Sequence, residues 1–159
     1  MPRRGPAKKR KVTPDVIYGS ELVSRLINRM MKDGKKSIAE KQVYGALGII
    51  EKKTKSKPVE VFDSAIEKIK PLMEVRPRRV GGAAYQVPIP VRGDRKVSLA
   101  IRWLIFAARA RSSSDYHTFS EKLAAEIIDA SNEEGGAVKK KQEMERMAEA
   151  NRAFAHFRW

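Results

Sequence analysis

"MEVRPRRVGGAAYQVPIPVR", Met73 to Arg92, is where the apolar period of this 159-residue chain drops from three or four to two. Tyr85, Val87, Ile89 and Val91 alternate with Gln86, Pro88 and Pro90, and Gly81 with Gly82 supplies a turn, so the stretch predicts a β-hairpin over about 72–92. Proline has no N–H to give to a ladder, so Pro77, Pro88 and Pro90 restrict the ribbon to two strands whose edges cannot recruit a third. A two-stranded ribbon is marginal in water on its own. One that projects and carries Arg76, Arg78 and Arg79 is expected to gain order from a partner.

On both sides of the ribbon the period is helical. Upstream, Ser20 caps a first helix with Leu22, Val23, Leu26, Ile27 and Met30 inside, ended by Gly34. Ser37 and Glu40 read as a capping box opening a second helix through Ala39, Val43, Ala46, Leu47 and Ile50 to about Lys53. Pro58 opens a third, lined by Val61, Phe62, Ala65, Ile66 and Ile69 and stopped by Pro71. Downstream, about Asp94 to Arg111 forms a fourth helix with Val97, Ala100, Ile101, Leu104 and Ala108 inward and Trp103 beside that stripe. A fifth buries Phe119, Leu123, Ala124, Ile127 and Ile128 and is expected to turn Glu121, Glu126 and Asp129 outward. A sixth, from about Val138, starts with Lys139, Lys140 and Lys141 and carries Met144, Met147 and Phe154 toward the C-terminal "AFAHFRW". The fold class is mainly α: a six-helix, bundle-like domain over 13–159 with a projecting two-stranded hairpin and a disordered or extended basic arm over 1–12.

Charge points to the partner. The chain carries +15 overall, and the excess is polarised: +6 over residues 1–12, +4 over 13–70, +7 over 71–112, −5 over 113–138 and +3 over 139–159. Solubility alone gives no reason to gather acids into one block, whereas a body laid on phosphates keeps its carboxylates on the far side. A run such as "PAKKRKV", Pro6–Val12, can be a targeting label, a phosphate-gripping arm or a solvated tail. An import label would leave the hairpin arginines unexplained. It would also leave unexplained Arg95, Arg102 and Arg109, whose seven-residue spacing lines them on one helical ridge. There is no cysteine, so no disulfide or thiolate chemistry. No apolar run reaches membrane-spanning length, and the N-terminus lacks the apolar stretch of a secretory signal; a soluble, unexported protein is expected.

Catalytic readings are thin. His117 and His156 lie far apart, and no spacing matches a metal site. Glu121, Glu126, Asp129, Glu133 and Glu134 could bind Mg²⁺ in a nuclease, but their spacing fits a polar helix face. Gly81 and Gly82 lack the pattern of a phosphate loop. Of Tyr44, Tyr85, Trp103 and Trp159, Tyr85 near the ribbon tip is the candidate to stack on an unpaired base. A DNA-bending architectural protein with a proline-tipped basic ribbon is the alternative reading.

"GSEL" (Gly19–Leu22), "DGKKS" (Asp33–Ser37), "RRVGGAAYQVP" (Arg78–Pro88), "SLAIRW" (Ser98–Trp103) and "RMAEANRAFAHFRW" (Arg146–Trp159) occur in an order and spacing that resemble the bacterial-type small-subunit ribosomal protein seven family over nearly the whole chain. The resemblance implies a non-catalytic scaffold without cofactor, in the ribosomes of a cytoplasm or an organelle of bacterial descent. Such a scaffold binds the three-prime major domain of small-subunit ribosomal RNA and starts assembly of the subunit head. It places RNA on Arg3, Arg4, Lys8, Lys9, Arg10, Lys11, Lys35, Lys36, Arg76, Arg78, Arg79, Arg92, Arg95, Lys96, Arg102 and Arg109. It places exit-site transfer RNA and small-subunit protein eleven near Val80, Gly81, Gly82, Ala83, Ala84, Tyr85 and, in the C-terminal region, Arg146, Arg152, Arg158 and Trp159.

Overall fold

The computed structural model describes Gly5 and residues 12–158; Arg3, Arg4, Lys8–Lys11 and Trp159 lie outside the described residues. The chain runs α1 (Glu21–Met30), α2 (Lys36–Thr54), α3 (Pro58–Ile69), β1 (Met73–Val80), β2 (Ala83–Pro90), α4 (Gly93–Ala110), α5 (Phe119–Ser131) and α6 (Gly135–Ala150), then a 3-10 turn at Arg152–Phe157. This is the mainly helical architecture with one hairpin that the periodicity predicts.

α5 is the hub. It packs on α2, α3, α4 and α6, and its alanines let neighbours approach closely. Leu123, Ala124 and Ile127 meet Val43, Ala46, Leu47 and Ile50 of α2, Phe62, Ala65, Ile66 and Ile69 of α3, and Ala100, Leu104 and Ala108 of α4 in one buried cluster. Phe62 is fully buried, and truncating such a ring to alanine costs on the order of 3–5 kcal/mol because the void cannot collapse fully. Trp103 joins this core.

Several helix ends differ from expectation. The backbone leaves α1 at Met31, before Gly34; Asp33 and Gly34 then turn with positive φ. α2 therefore starts at Lys36, one residue before the predicted box. Its N-cap is Lys35, without a side-chain bond, and Glu40 pairs with Lys36 at 3.5 Å. The box forms at α5 instead: Thr118 Oγ1 accepts from Glu121 N–H at 3.3 Å, and Glu121 Oε2 accepts from the N–H groups of Thr118 at 3.3 Å and His117 at 2.9 Å. Those backbone bonds hold the Glu121 carboxyl below its usual range.

α6 begins three residues before Val138, with Gly135 at φ +90°. A Cβ there would stand 2.9 Å from Glu126 Oε1. The reason is that Glu126, expected outside, is 1% exposed and accepts from the Ala137 N–H at 2.8 Å, anchoring the first turn of α6. Met147 is exposed, and Phe154 leaves the helix altogether to pack on the hairpin.

Candidate nucleic-acid interface

The hairpin is antiparallel with Met73 opposite Pro90 and Val80 opposite Ala83, closed by Gly81 (φ 59°) and Gly82 (φ 90°). Two consecutive left-handed residues are what the two-residue turn matched to strand twist demands. At the ribbon base Glu74 is only 4% exposed. Its Oε1 accepts from Arg76 Nε at 2.5 Å and its Oε2 from Arg95 Nε at 2.6 Å, tying the ribbon to the first turn of α4. Both arginines remain about half exposed. Together with Arg78, Arg92 and Arg158 they line a hollow of about 710 Å³, whose carboxylates are Glu74 and Asp94. Five guanidiniums against two acids leave a surplus that phosphates can neutralise.

From that hollow the cations continue along α4. Residues seven apart on a helix drift by only about 20°, so Arg95, Arg102 and Arg109 share one ridge about 21 Å long. All three are exposed. α1 supplies the parallel wall. Arg25, Asn28 and Arg29 face Val97, Ser98 and Ile101 across a groove of about 320 Å³. Arg25 reaches Asp94 at 3.9 Å and Glu21 at 4.0 Å, and its buried Nε has no acceptor among the described residues. At the far end of the ridge Arg109 Nη2 donates to the Met30 carbonyl at 3.4 Å, beside Lys32 and Lys35. Lys36 is turned onto Glu40, Lys96 is half-buried, and Arg79 is exposed on the ribbon.

The acids of 113–138 are kept off this face. Arg111, the residue that ends α4, donates through Nε to Glu126 Oε2 at 2.7 Å and through Nη2 to Asp129 Oδ2. Burial disfavours the Arg111 charge, but the hydrogen bonds to Asp129 and Glu126 outweigh it and raise its pKa. Glu133 pairs with Lys68 at 3.5 Å, and Glu121 is occupied by its cap. None of these acids lines the hollow, the groove or the far end of the ridge. The nuclease reading loses its ligands to Arg111, and among the described residues no group of three His, Cys, Asp or Glu could hold a metal.

At the ribbon tip Gly81–Ala84 is exposed and Val80 half-buried. Tyr85 is not an open stacking platform: its ring lies 5.3 Å from Phe154 and 5.2 Å from Phe157. Arg146 is exposed on α6, and Arg152 pairs with Glu149 at 3.2 Å. Arg158, a candidate for the transfer-RNA or protein-eleven side, also lines the hollow. Sequence reasoning missed Arg25, Arg29 and Glu74. The signals were present: two arginines at i and i+4 beside the apolar stripe of α1, and a lone acid among the ribbon arginines.

A model of the family described as ribosomal protein S7p/S5e matches residues 2–152. Proteins named small ribosomal subunit protein uS7 align over the full length of both chains: 60% identical in Caldicellulosiruptor bescii, 60% in Carboxydothermus hydrogenoformans and 58% in Dictyoglomus turgidum.

Proposed function

The chain belongs to the ribosomal protein S7p/S5e family, and from that premise we propose that its cationic face clamps a junction of several helices in small-subunit ribosomal RNA. In this reading the junction lies in the three-prime major domain, and binding there nucleates the head of the subunit. The observation that carries it is the continuity of the five-arginine hollow with the α4 ridge and the α1 groove. RNA helices converging on one point repel each other, and guanidiniums fixed at the meeting place release the counterions that would otherwise screen them. Since the deep A-form groove hides base edges, the clamp reads shape and splayed loops.

The exposed ribbon tip and the Arg146 side of α6 are the surfaces for exit-site transfer RNA and for small-subunit protein eleven. The basic arm of residues 1–12 extends the grip on RNA. No helix among the described residues is long and apolar enough to cross a membrane.

The test is the salt dependence of binding to a transcript of the three-prime domain. Replacing Arg95, Arg102 and Arg109 with glutamine leaves the fold intact and lowers the slope of log affinity against log salt by about one for each phosphate no longer neutralised. An unchanged slope rejects the clamp. Competition with duplex DNA checks the alternative: equal affinity for DNA and junction RNA favours an architectural DNA-bending role.

A further inference from the structure

Where the α1–α2 turn meets α4 and α5, the cationic face has an apolar floor. Met30, Met31, Ile38, Ala39 and Phe119 enclose about 300 Å³, with Lys32, Lys35 and Arg109 at the rim and no carboxylate among the lining residues. Ile38 is 55% exposed in the first turn of α2, where a helix facing only water would carry a polar side chain. The bond from Arg109 Nη2 to the Met30 carbonyl holds the guanidinium beside the opening. Gln42 is the one uncharged polar side chain in the cleft. Its Oε1 accepts from Ser120 Oγ at 2.7 Å, which orients the amide and leaves its N–H groups without a described partner.

A phosphate alone gains nothing from methionine and phenylalanine, and an acyl chain has no use for three cations. An unpaired nucleobase has a π-face for the floor and phosphates on either side for the rim. Resting on the RNA-clamp reading, we propose that this cleft receives one nucleobase turned out of the bound RNA. Its face lies against Phe119 and the methionine thioethers, its edge offers an acceptor to the Gln42 amide, and the flanking phosphates lie on Lys35 and Arg109. Within a duplex both faces of a base are stacked and its edge is paired, so the floor and the Gln42 amide select unpaired nucleotides. The cleft thereby converts a shape-reading clamp into one that also requires a particular nucleotide to be unstacked.

The full chain and the three-prime-domain transcript serve as the test system. Ile38→Ser removes exposed apolar surface without touching the core. It is expected to weaken binding about tenfold at fixed salt, the scale of removing one stacked base, while leaving the salt slope unchanged. Lys35→Gln is expected to lower that slope by about one. Ultraviolet crosslinking of a 4-thiouridine-substituted transcript, followed by mass spectrometry, is expected to attach RNA to peptides containing residues 30–42 or Phe119. Wild-type affinity in Ile38→Ser, or crosslinks confined to the ribbon and its hollow, overturns the base cleft while the clamp stands. A wild-type chain that prefers the transcript no more than a scrambled RNA overturns the clamp itself, and the cleft with it.

Discussion

Glu74 and Glu126 are both buried carboxylates that hold arginine, and they do opposite things because their stoichiometries are inverted. Glu74 has two partners, Arg76 and Arg95, each about half exposed. Arg111 has two acids, Glu126 and Asp129, and its own side chain is only 17% exposed. One acid beneath two arginines leaves positive charge at the surface, aimed but not cancelled. One arginine between two acids is neutralised inside the bundle and fixes α4, α5 and the start of α6. Whether an arginine here is spent inside the fold or left at the surface is decided by which side of the pair is in excess, a distinction that a count of basic residues misses.

The largest effect in breaking this comparison belongs to the closed pair. Arg111→Met leaves Glu126 buried without its counter-ion and is expected to lower stability by about 3 kcal/mol, read as a shifted urea midpoint at constant m-value. RNA affinity in the surviving folded fraction stays unchanged; a flattened salt slope would place Arg111 on the binding face. Gly135→Ala attacks the same cluster from α6, combining a positive φ with a Cβ 2.9 Å from Glu126 Oε1. It is expected to cost about 2 kcal/mol in the same assay, and no loss would mean that α6 can slide.

The open pair answers differently. Glu74→Gln keeps the shape but weakens both charge-assisted bonds, for about 1 kcal/mol of stability. Its signature is selectivity: affinity for the cognate transcript falls about tenfold while affinity for unstructured RNA holds or rises, because a negative charge has gone and the aim with it. Equal losses on both RNAs would refute the aiming role.

The smallest effect sharpens the contrast with a carboxylate whose side-chain partner is neutral. Asp15 Oδ1 accepts from the Tyr44 hydroxyl at 2.7 Å, and burial, then that hydrogen bond, pushes the phenol up to about 12. A raised folded pKa contributes stability that is complete below about pH 10 and lost as pH rises through about 12. Tyr44→Phe should therefore flatten the alkaline loss of stability in that window relative to wild type, with no change near neutrality in the slope against pH. Parallel curves for the two proteins would remove the bond from the alkaline response.

Spacing within one element is what the sequence makes legible. The apolar stripes of α1 to α5, the two-strand limit set by Pro77, Pro88 and Pro90, the Gly81–Gly82 turn and the ridge of Arg95, Arg102 and Arg109 are all local periodicities. Legibility ends where a side chain is claimed from a distance. Glu126 looks polar on a projection of its own helix. Its burial depends on Arg111, fifteen residues earlier, and on the Ala137 N–H, eleven later. Ser37 and Thr118 carry the same box signature, and the tight turn through Asp33 and Gly34 decides between them by starting α2 one residue before Ser37. Tyr85 reads as a base platform in the sequence because the rings that cover it, Phe154 and Phe157, follow about seventy residues later.

Those aromatic neighbours also set a clock. Synthesis runs from the N-terminus, so the ribbon leaves the translating machinery about sixty residues ahead of the rings that brace its flank. Until Phe154 and Phe157 arrive, the ribbon has its tie to α4 through Glu74 but not the rings that cover Tyr85. A chain that stops before Phe154 therefore leaves Tyr85 without its aromatic cover.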